Sequence, residues 1–272
     1  MPFTASHPAA VVPLMRVGLV PSALVIGSMA PDIPYFLPLP TTLPVARELS
    51  HSLTGIVTID LALGLVVFAA WQVAVADAVV AIAPAGLRAR LGPESPAGLR
   101  HHLTGARRPA LVLVSLVIGA LTHVIWDAFT HSGSWGTDRF DVLLTFYGPL
   151  PLYRWAQYAS GLVGAAVLLA AAVRWWRTTP TRAELDRAHP AAGRRVALGV
   201  WAAVVLVTAA AGAVAAAGPL TAMTGADWRT AAFRGTTHGG AAGGAALVGF
   251  AVAWALGAGR SARDGGGRAA AQ

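Results

Sequence analysis

Residues 109–131 read PALVLVSLVIGALTHVIWDAFTH, and this stretch decides the class of fold. It is longer than the roughly 20 apolar residues that a helix needs to cross the hydrocarbon core of a bilayer. His123, Asp127 and His131 follow one another at intervals of four residues, so they share one stripe of a helix. Asp127 is the only formally charged residue of the stretch, and a carboxylate at the bilayer centre costs roughly 2.5–3.5 kcal/mol on insertion scales. We therefore expect Asp127 to have partners, either in a functional site or in a hydrogen-bonded cluster at a helix end.

Four more segments are long and apolar enough to span a membrane, namely 52–76, 155–176, 196–218 and 239–258. A sixth segment, 9–30, has the length but contains two prolines, two glycines and Arg16. We expect it to be broken, tilted or re-entrant and covered by neighbouring helices, because irregular backbone at membrane depth must be buried in protein. The sequence thus predicts an all-α, polytopic integral membrane helix bundle with five clear spans and a broken or re-entrant first segment. We expect one transmembrane helical domain over 1–258 and a disordered tail over 259–272, which is polar and rich in glycine.

The composition agrees with a membrane protein and argues against other classes. Charged residues make up 12% of the chain, against roughly 25% in soluble domains. There is no cysteine, which excludes disulfides and thiolate metal sites. All 20 basic residues are arginines and no basic face is interleaved with aromatic residues, so we expect no nucleic-acid partner despite the net charge of +8. The N-terminus has no basic region and no small-residue cleavage site, so we expect no removable signal peptide.

The distribution of arginine predicts the orientation of the spans. The connections 77–108 and 174–195, together with the tail, hold 14 arginines, whereas the alternate connections hold five. Arginine-rich connections stay in the cytoplasm by the positive-inside rule. We therefore expect the C-terminus to be cytoplasmic and the alternate connections to lie outside.

In this orientation the acids and histidines collect at the outer ends of the segments. Asp32 follows the first segment, His51 opens the next span, Asp127 and His131 close the following one, and His238 opens the last. Each has a structural alternative. Asp32 could hold a turn between prolines, His51 could begin a helix, His131 could be stabilised by the helix dipole, and His238 could permit close packing.

These residue types suit a divalent metal such as zinc, which takes imidazole and carboxylate ligands. Residues four apart on a helix can hold one ion together. His123 and His131 cannot share an ion on a regular helix, because about 12 Å of axial rise separates them. Asp127 could serve one ion with His123, bridge two ions, or act from outside the ligand shell. A bridging role would fit two-metal hydrolases, whose ions lie about 3.5–4 Å apart.

Three further groups of polar residues have expectations of their own. Asp60 comes nine residues after His51, on the opposite side of a regular helix, so we expect it to pair elsewhere in the bundle. His7 would be left on the inner side by a spanning first segment, whereas a re-entrant segment could bring it to the site. The histidines of the arginine-rich connections are expected to be solvated; they are His101, His102 and His189.

Four separated motifs carry a family resemblance. They are PFTASHPAAVVPL, LVPSALVIGSMAPDIPYF, SHSLTG and THVIWDAFTHSG, and they occur in this order over the first 150 residues. With them the chain resembles the bacterial integral-membrane family called domain of unknown function 4184. The resemblance implies a multi-pass protein of the bacterial inner (plasma) membrane.

The order His, Pro-Asp, His-Ser and His-x-x-x-Asp also resembles, more distantly, the membrane-bound metal-dependent hydrolase group. This resemblance implies metal ligation at the matching positions, which are His7, Asp32, His51, His123 and Asp127. The chain has serine before His51 where that group tends to have threonine, and it lacks an upstream His-Arg pair. The missing pair leaves the number of metal ions and the substrate open.

The leading hypothesis is a membrane hydrolase with a His/Asp site for a divalent ion such as zinc, acting on a lipid or envelope-derived substrate. Membrane lipid is then the expected partner. The first alternative is an ion- or proton-coupled transporter, since buried Asp/His chains are typical of proton pathways and broken helices of transporters. The second is a non-catalytic membrane scaffold whose histidines are structural.

Overall fold

The computed structural model describes residues 4–37, 48–92, 98–188, 191–221 and 228–269. The chain divides into two compact units. The first contains Phe3–Phe68 and His101–Thr178, and the second contains Ala69–Arg100 and Thr179–Gln272. The single helical domain expected over 1–258 stays a prediction.

The first apolar segment is broken, as predicted. It begins as a 3-10 helix over Thr4–Arg16 that contains Pro8 and Pro13, two residues without the N–H that a regular helix needs. The chain then turns through Gly18, whose φ is +83°, and continues as α1 over Pro21–Met29. Neither piece is long enough to span a bilayer as a helix.

Among the described residues, five helices are long and apolar enough to cross a membrane, judged by length and composition. They are α2 (Leu53–Ala81), α3 (Arg107–Thr130), α4 (Leu152–Thr178), α5 (Arg194–Thr221) and α6 (Trp228–Ala269). The short helices and turns are Ala30–Asp32, Ile33–Phe36, Ala85–Arg88, Gly98–His102, Trp135–Arg139, Asp141–Leu144 and Ala183–Ala188. A two-stranded antiparallel ribbon joins Phe146–Tyr147 to Leu150–Pro151. The architecture confirms the predicted all-α class with five spans and a broken first segment.

In the first unit, α1 and α3 pack with their backbones in contact. A Cβ atom on Gly27 would overlap the backbone of Leu116, and one on Gly119 would overlap the carbonyl of Leu24. Small residues allow such close approach between helices in membranes. This packing places the Ala30–Asp32 turn, which follows α1, beside the second half of α3.

The N-terminal 3-10 helix packs against α1 and α4. The Ser6 hydroxyl donates a hydrogen bond to the carbonyl oxygen of Gly161 at 2.9 Å. A Cβ atom on Gly164 would meet Ser6 and the indole of Trp126, so this glycine permits the approach. As a result His7, one residue after Ser6, is buried.

Helix α2 begins just after His51 and contains two widened turns. The backbone N–H of Gly55 donates to the Ser52 hydroxyl at 3.0 Å, which caps the helix. Residues Ile56–Asp60 and Trp71–Val75 form π-helical turns. Such turns are rare and occur often at functional sites.

The second unit is built mainly from α5 and α6, which pack against each other along much of their length. The end of α2 lies against α6, and Arg88 Nε donates to Asp186 Oδ1 at 2.7 Å. Helix α6 is described as far as Ala269. The boundary at 258 and the disordered tail over 259–272 stay predictions.

Candidate metal centre

Four side chains from three elements converge within the first unit. Asp32 lies on the turn after α1, His51 just before α2, and His123 and Asp127 on α3. One ligand atom from each lies within 4.8 Å of the others. Asp32, His123 and Asp127 are buried, and His51 is half-buried.

The four His–Asp separations between these atoms are close to those of a tetrahedral zinc site, and the other two pairs of atoms lie within 4.8 Å. His123 Nε2 lies 3.4 Å from Asp127 Oδ2 and 3.7 Å from Asp32 Oδ1. His51 Nε2 lies 3.5 Å from Asp32 Oδ1 and 3.6 Å from Asp127 Oδ2. A tetrahedral zinc ion with bonds of about 2.0–2.2 Å sets its ligand atoms about 3.3–3.6 Å apart. The four residues therefore fit a small divalent cation.

Buried polar atoms without hydrogen-bond partners point to the same centre. Within the described part of the chain, Asp32 Oδ1, His123 Nε2 and Asp127 Oδ2 are buried and accept or donate no hydrogen bond. Leaving a buried polar atom unsatisfied costs about 1–3 kcal/mol, and more for a charged group. All three atoms face one another across the cluster. A cation bound between them would satisfy all three at once.

Neighbouring groups orient both imidazoles with Nε2 toward the centre. His123 Nδ1 lies 2.8 Å from the carbonyl oxygen of Ser28, so Nδ1 donates and Nε2 keeps its lone pair. The Ser50 hydroxyl donates to the carbonyl oxygen of Pro31 at 3.0 Å and lies 3.1 Å from His51 Nδ1. Because the hydroxyl proton is directed to Pro31, the serine oxygen accepts from His51 Nδ1. This is the arrangement that metal-binding histidines show in proteins.

The second carboxylate oxygen of Asp32, Oδ2, accepts a hydrogen bond from a nearby side chain. The Thr4 hydroxyl donates to Asp32 Oδ2 at 2.5 Å. Burial by itself raises the pKa of the Asp32 carboxyl, but the nearby imidazoles of His51 and His123 and the hydrogen bond from Thr4 hold that pKa below its usual range. Asp32 is thus a carboxylate at neutral pH, as a metal ligand must be.

Two more predicted residues contact Asp127 through its second oxygen, Oδ1. His7 Nε2 lies 3.6 Å and His131 Nδ1 3.3 Å from this atom. The His7 ring stacks on His123 with 3.7 Å between the ring centroids. Burial lowers the pKa of His7 to about 4, and His123 adds to this shift. His7 is therefore uncharged at neutral pH.

His131 also belongs to a hydrogen-bonded chain that leads away from the centre. Arg154 Nη1 donates to Gln157 Oε1 at 3.1 Å, which orients the Gln157 amide. Gln157 Nε2 then lies 2.7 Å from His131 Nε2, so the amide donates and the imidazole accepts. His131 Nδ1 consequently carries the proton and points at Asp127 Oδ1.

A small cavity of about 20 Å³ lies next to the cluster. It is lined by Thr4, His7, Asp127, His131 and Gln157, among others. Roughly 10–15 Å³ of such volume is enough for one water molecule. The centre thus has room for a water beside Asp127 Oδ1.

The structure brings together six of the seven predicted ligands, which are His7, Asp32, His51, His123, Asp127 and His131. His238 belongs to the second unit, where its Nδ1 lies 3.0 Å from the carbonyl oxygen of Arg234. It is not part of the cluster found within the described ranges, and a ligand role for it stays a prediction. Of the histidines expected to be solvated, His101 is exposed and His102 packs against Phe68. His189 lies outside the described residues.

The prediction made for Asp60 from the sequence is wrong. We expected it to pair elsewhere in the bundle, but both of its oxygens are buried and, within the described ranges, neither has a hydrogen-bond partner. Its side chain is 1% exposed. The π-helical turn that carries it packs against the Ala30–Asp32 turn and α3. The prediction assumed regular helix geometry after His51, and the widened turn changes the angular position of Asp60.

A helical membrane protein with a buried His/Asp cluster is the class that this fold and site define. The model of the family described as Domain of unknown function (DUF4184) matches residues 1–254. The chain therefore belongs to this family, as the sequence motifs indicated. No curated protein and no solved structure matches the chain.

Proposed function

We propose that the protein is a divalent-metal-dependent membrane hydrolase acting on a lipid or envelope-derived substrate. The observation that carries the proposal is the convergence of buried, unpartnered atoms from Asp32, His123 and Asp127, with His51 Nε2 beside them. These four residues would hold the ion. A divalent ion in such a site supplies Lewis-acid activation of water and of a phosphoryl or carbonyl oxygen.

The residues around the ion supply the remaining functions of a hydrolytic site. His7 is uncharged and lies 3.6 Å from Asp127 Oδ1 at the edge of the small cavity. It can form a hydrogen bond there with a water held by Asp127 and so help to orient that water. Thr4 orients Asp32, and Ser28 and Ser50 orient the imidazoles. The burial of the cluster strengthens each of these electrostatic interactions.

The arginine distribution supports an outward-facing site in a bacterial plasma membrane. The cluster lies at the ends of α1 and α3 that adjoin arginine-poor connections. By the positive-inside rule these ends lie outside the cytoplasm and the C-terminus lies inside. Lipids of the outer leaflet and envelope precursors are the substrates within reach of such a site.

Elemental analysis of the protein purified in detergent tests the proposal. The wild type is expected to contain stoichiometric zinc, manganese or iron, and His51→Ala, His123→Ala and Asp127→Asn are expected to lose it. His101→Ala replaces an exposed histidine outside the cluster and is the matched control, expected to keep the metal. A folded wild type without metal, or variants that all retain it, would overturn the proposal.

A second candidate function is metal- or proton-coupled transport, and Asp60 is the observation that favours it. Asp60 lies within the apolar span of α2, buried and without a partner in the described structure, and carboxyl groups in such places often belong to proton pathways. In liposomes, a transporter would show metal-dependent proton flux that Asp60→Asn abolishes. The hydrolase predicts no such flux, and Asp77→Asn, an exposed carboxylate of the same helix, serves as control.

A further inference from the structure

An apolar groove on the first unit lies directly beside the candidate metal centre. Its volume is about 560 Å³, within the usual range of roughly 300–1,000 Å³ for ligand sites. The walls come from α3, α4 and the N-terminal 3-10 helix, with Ile125, Phe129, Ala156 and Ala10 among the lining residues. The hydroxyls of Thr122, Thr130 and Ser160 also border it, but each is hydrogen-bonded within the protein, so the surface open to the groove is mostly apolar.

The groove and the small cavity of the metal centre share two wall residues, Trp126 and Thr130. The Trp126 indole donates to the Ser160 hydroxyl at 3.0 Å on the groove side. On the side of the centre, its ring meets the His7 ring edge-on with 5.2 Å between centroids. Thr130 donates to Asp127 Oδ1 at 3.4 Å. Trp126 and Thr130 thus contact both the groove and the surroundings of the proposed ligands.

The position of the groove between apolar helices indicates which kind of ligand it binds. Both α3 and α4 are long and apolar enough to span a membrane, and Ile125 and Phe129 are 53% and 37% exposed. In a bilayer the medium around such side chains is hydrocarbon, so an acyl chain fits and a polar ligand does not. The groove also runs toward the end of α3, where its apolar character gives way to Asp127 and His131. An amphiphile matches this change from apolar to polar.

We propose that the groove binds one acyl chain of a phospholipid whose headgroup then lies at the C-terminal end of α3, next to the partly exposed His131. This inference rests on the proposed function and names its substrate class. It assigns Trp126 and Thr130 to the boundary between the chain-binding and headgroup-binding parts. Ala156 and Ala10 leave the space that the chain fills.

Fluorescence quenching tests the proposal on the full, metal-loaded protein in detergent micelles. The probe is phosphatidylglycerol brominated in its acyl chains, which quenches nearby tryptophans. The chain has nine tryptophans, so the Trp126 contribution is taken as the difference between the wild type and Trp126→Phe. We expect this contribution to be quenched in a saturable way as the mole fraction of brominated lipid rises.

Groove-filling variants provide the decisive comparison. Ala156→Phe, or Ala10→Leu from the opposite wall, is expected to raise the half-saturating lipid fraction at least tenfold. Ala166→Phe is the matched control, because this exposed alanine lies on the same helix about 15 Å from Ala156; it is expected to change nothing. Linear, non-saturable quenching overturns the proposal, and so does an equal effect of the filling and control variants.

The quenching experiment and the metal analysis test the groove proposal and the hydrolase proposal separately. If the wild type holds metal but shows no saturable quenching, the groove proposal fails and the metal centre stands. If quenching saturates in a protein without metal, the hydrolase proposal fails and the lipid site stands. If another copy of the chain covers the groove, a dimer that Ala156→Phe dissociates would appear in light scattering, and that result also overturns the proposal.

Discussion

At the scale of single residues, the two oxygens of Asp127 have different surroundings. Oδ2 faces the imidazoles of His51 and His123 across the cluster. Oδ1 accepts from Thr130 and faces His131, whose proton is directed toward it by Gln157. One oxygen is thus available to an ion, and the other is held by side chains outside the ligand set. Groups that orient a ligand in this way typically change metal affinity by 10–100-fold.

This arrangement gives a prediction for His131. Replacement by alanine removes the donor to Asp127 Oδ1 and is expected to weaken metal affinity about 10–100-fold without changing the stoichiometry. His131→Asn keeps an N–H near the position of Nδ1 and is expected to restore affinity to within a few fold of the wild type. Competition titration with a chelating dye measures both. If asparagine is as damaging as alanine and the metal content falls, His131 is a ligand and the interpretation is wrong.

The sequence predicted the four residues of the cluster but not the side chains that orient them. Asp32, His51, His123 and Asp127 were recognisable because each is a polar residue at or near the end of an apolar segment. Thr4, Ser28 and Gln157 carry no such signal, because they act through contacts between parts of the chain far apart in sequence. Asp60 was misplaced because periodicity assumes 3.6 residues per turn, and a π-helical turn does not obey it.

At the scale of elements, the packing of α1 on α3 positions the site. Gly119 touches the backbone of α1 through Leu24, and one turn further along α3 His123 contacts Ser28. Asp32 follows on the same side. The separation of these two helices therefore sets the distance between Asp32 and His123. The apolar pattern predicted both segments, but not that glycine would bring their backbones into contact.

Gly119→Ala tests this dependence. The added methyl overlaps the α1 backbone, so we expect a loss of stability of about 1–3 kcal/mol together with weaker metal binding. Gly199→Ala is the control, because a Cβ atom there meets no other residue and alanine favours the helix. Thermal unfolding in detergent and metal titration report the two effects. Equal behaviour of the two variants would show that the close approach of α1 and α3 does not determine the site.

At the scale of the whole molecule, the chain is a set of five apolar helices in which one compact unit carries the cluster. The number of spans and the break in the first segment followed from hydropathy, proline and glycine. The division into two compact units did not, because long-range packing leaves no mark in local periodicity. The orientation in the membrane remains a prediction from arginine positions alone.

The absence of cysteine makes the orientation directly measurable. Single-cysteine variants can be labelled in intact cells with a membrane-impermeant maleimide. Ser134→Cys, in the connection after α3, is expected to react from outside. Arg182→Cys, in the connection after α4, is expected to react only after the membrane is permeabilised. The reverse pattern would place the metal centre on the cytoplasmic side and remove outer-leaflet substrates from its reach.

X-ray absorption at the edge of the bound metal tests the central claim most directly. For the metal-loaded wild type, Asp32, His51, His123 and Asp127 predict two imidazole nitrogens and carboxylate oxygens at about 2.0–2.2 Å if the ion is zinc. His123→Ala should lower the imidazole count or abolish binding, and His101→Ala should leave the spectrum unchanged. A bound ion whose first shell contains no imidazole would contradict the account.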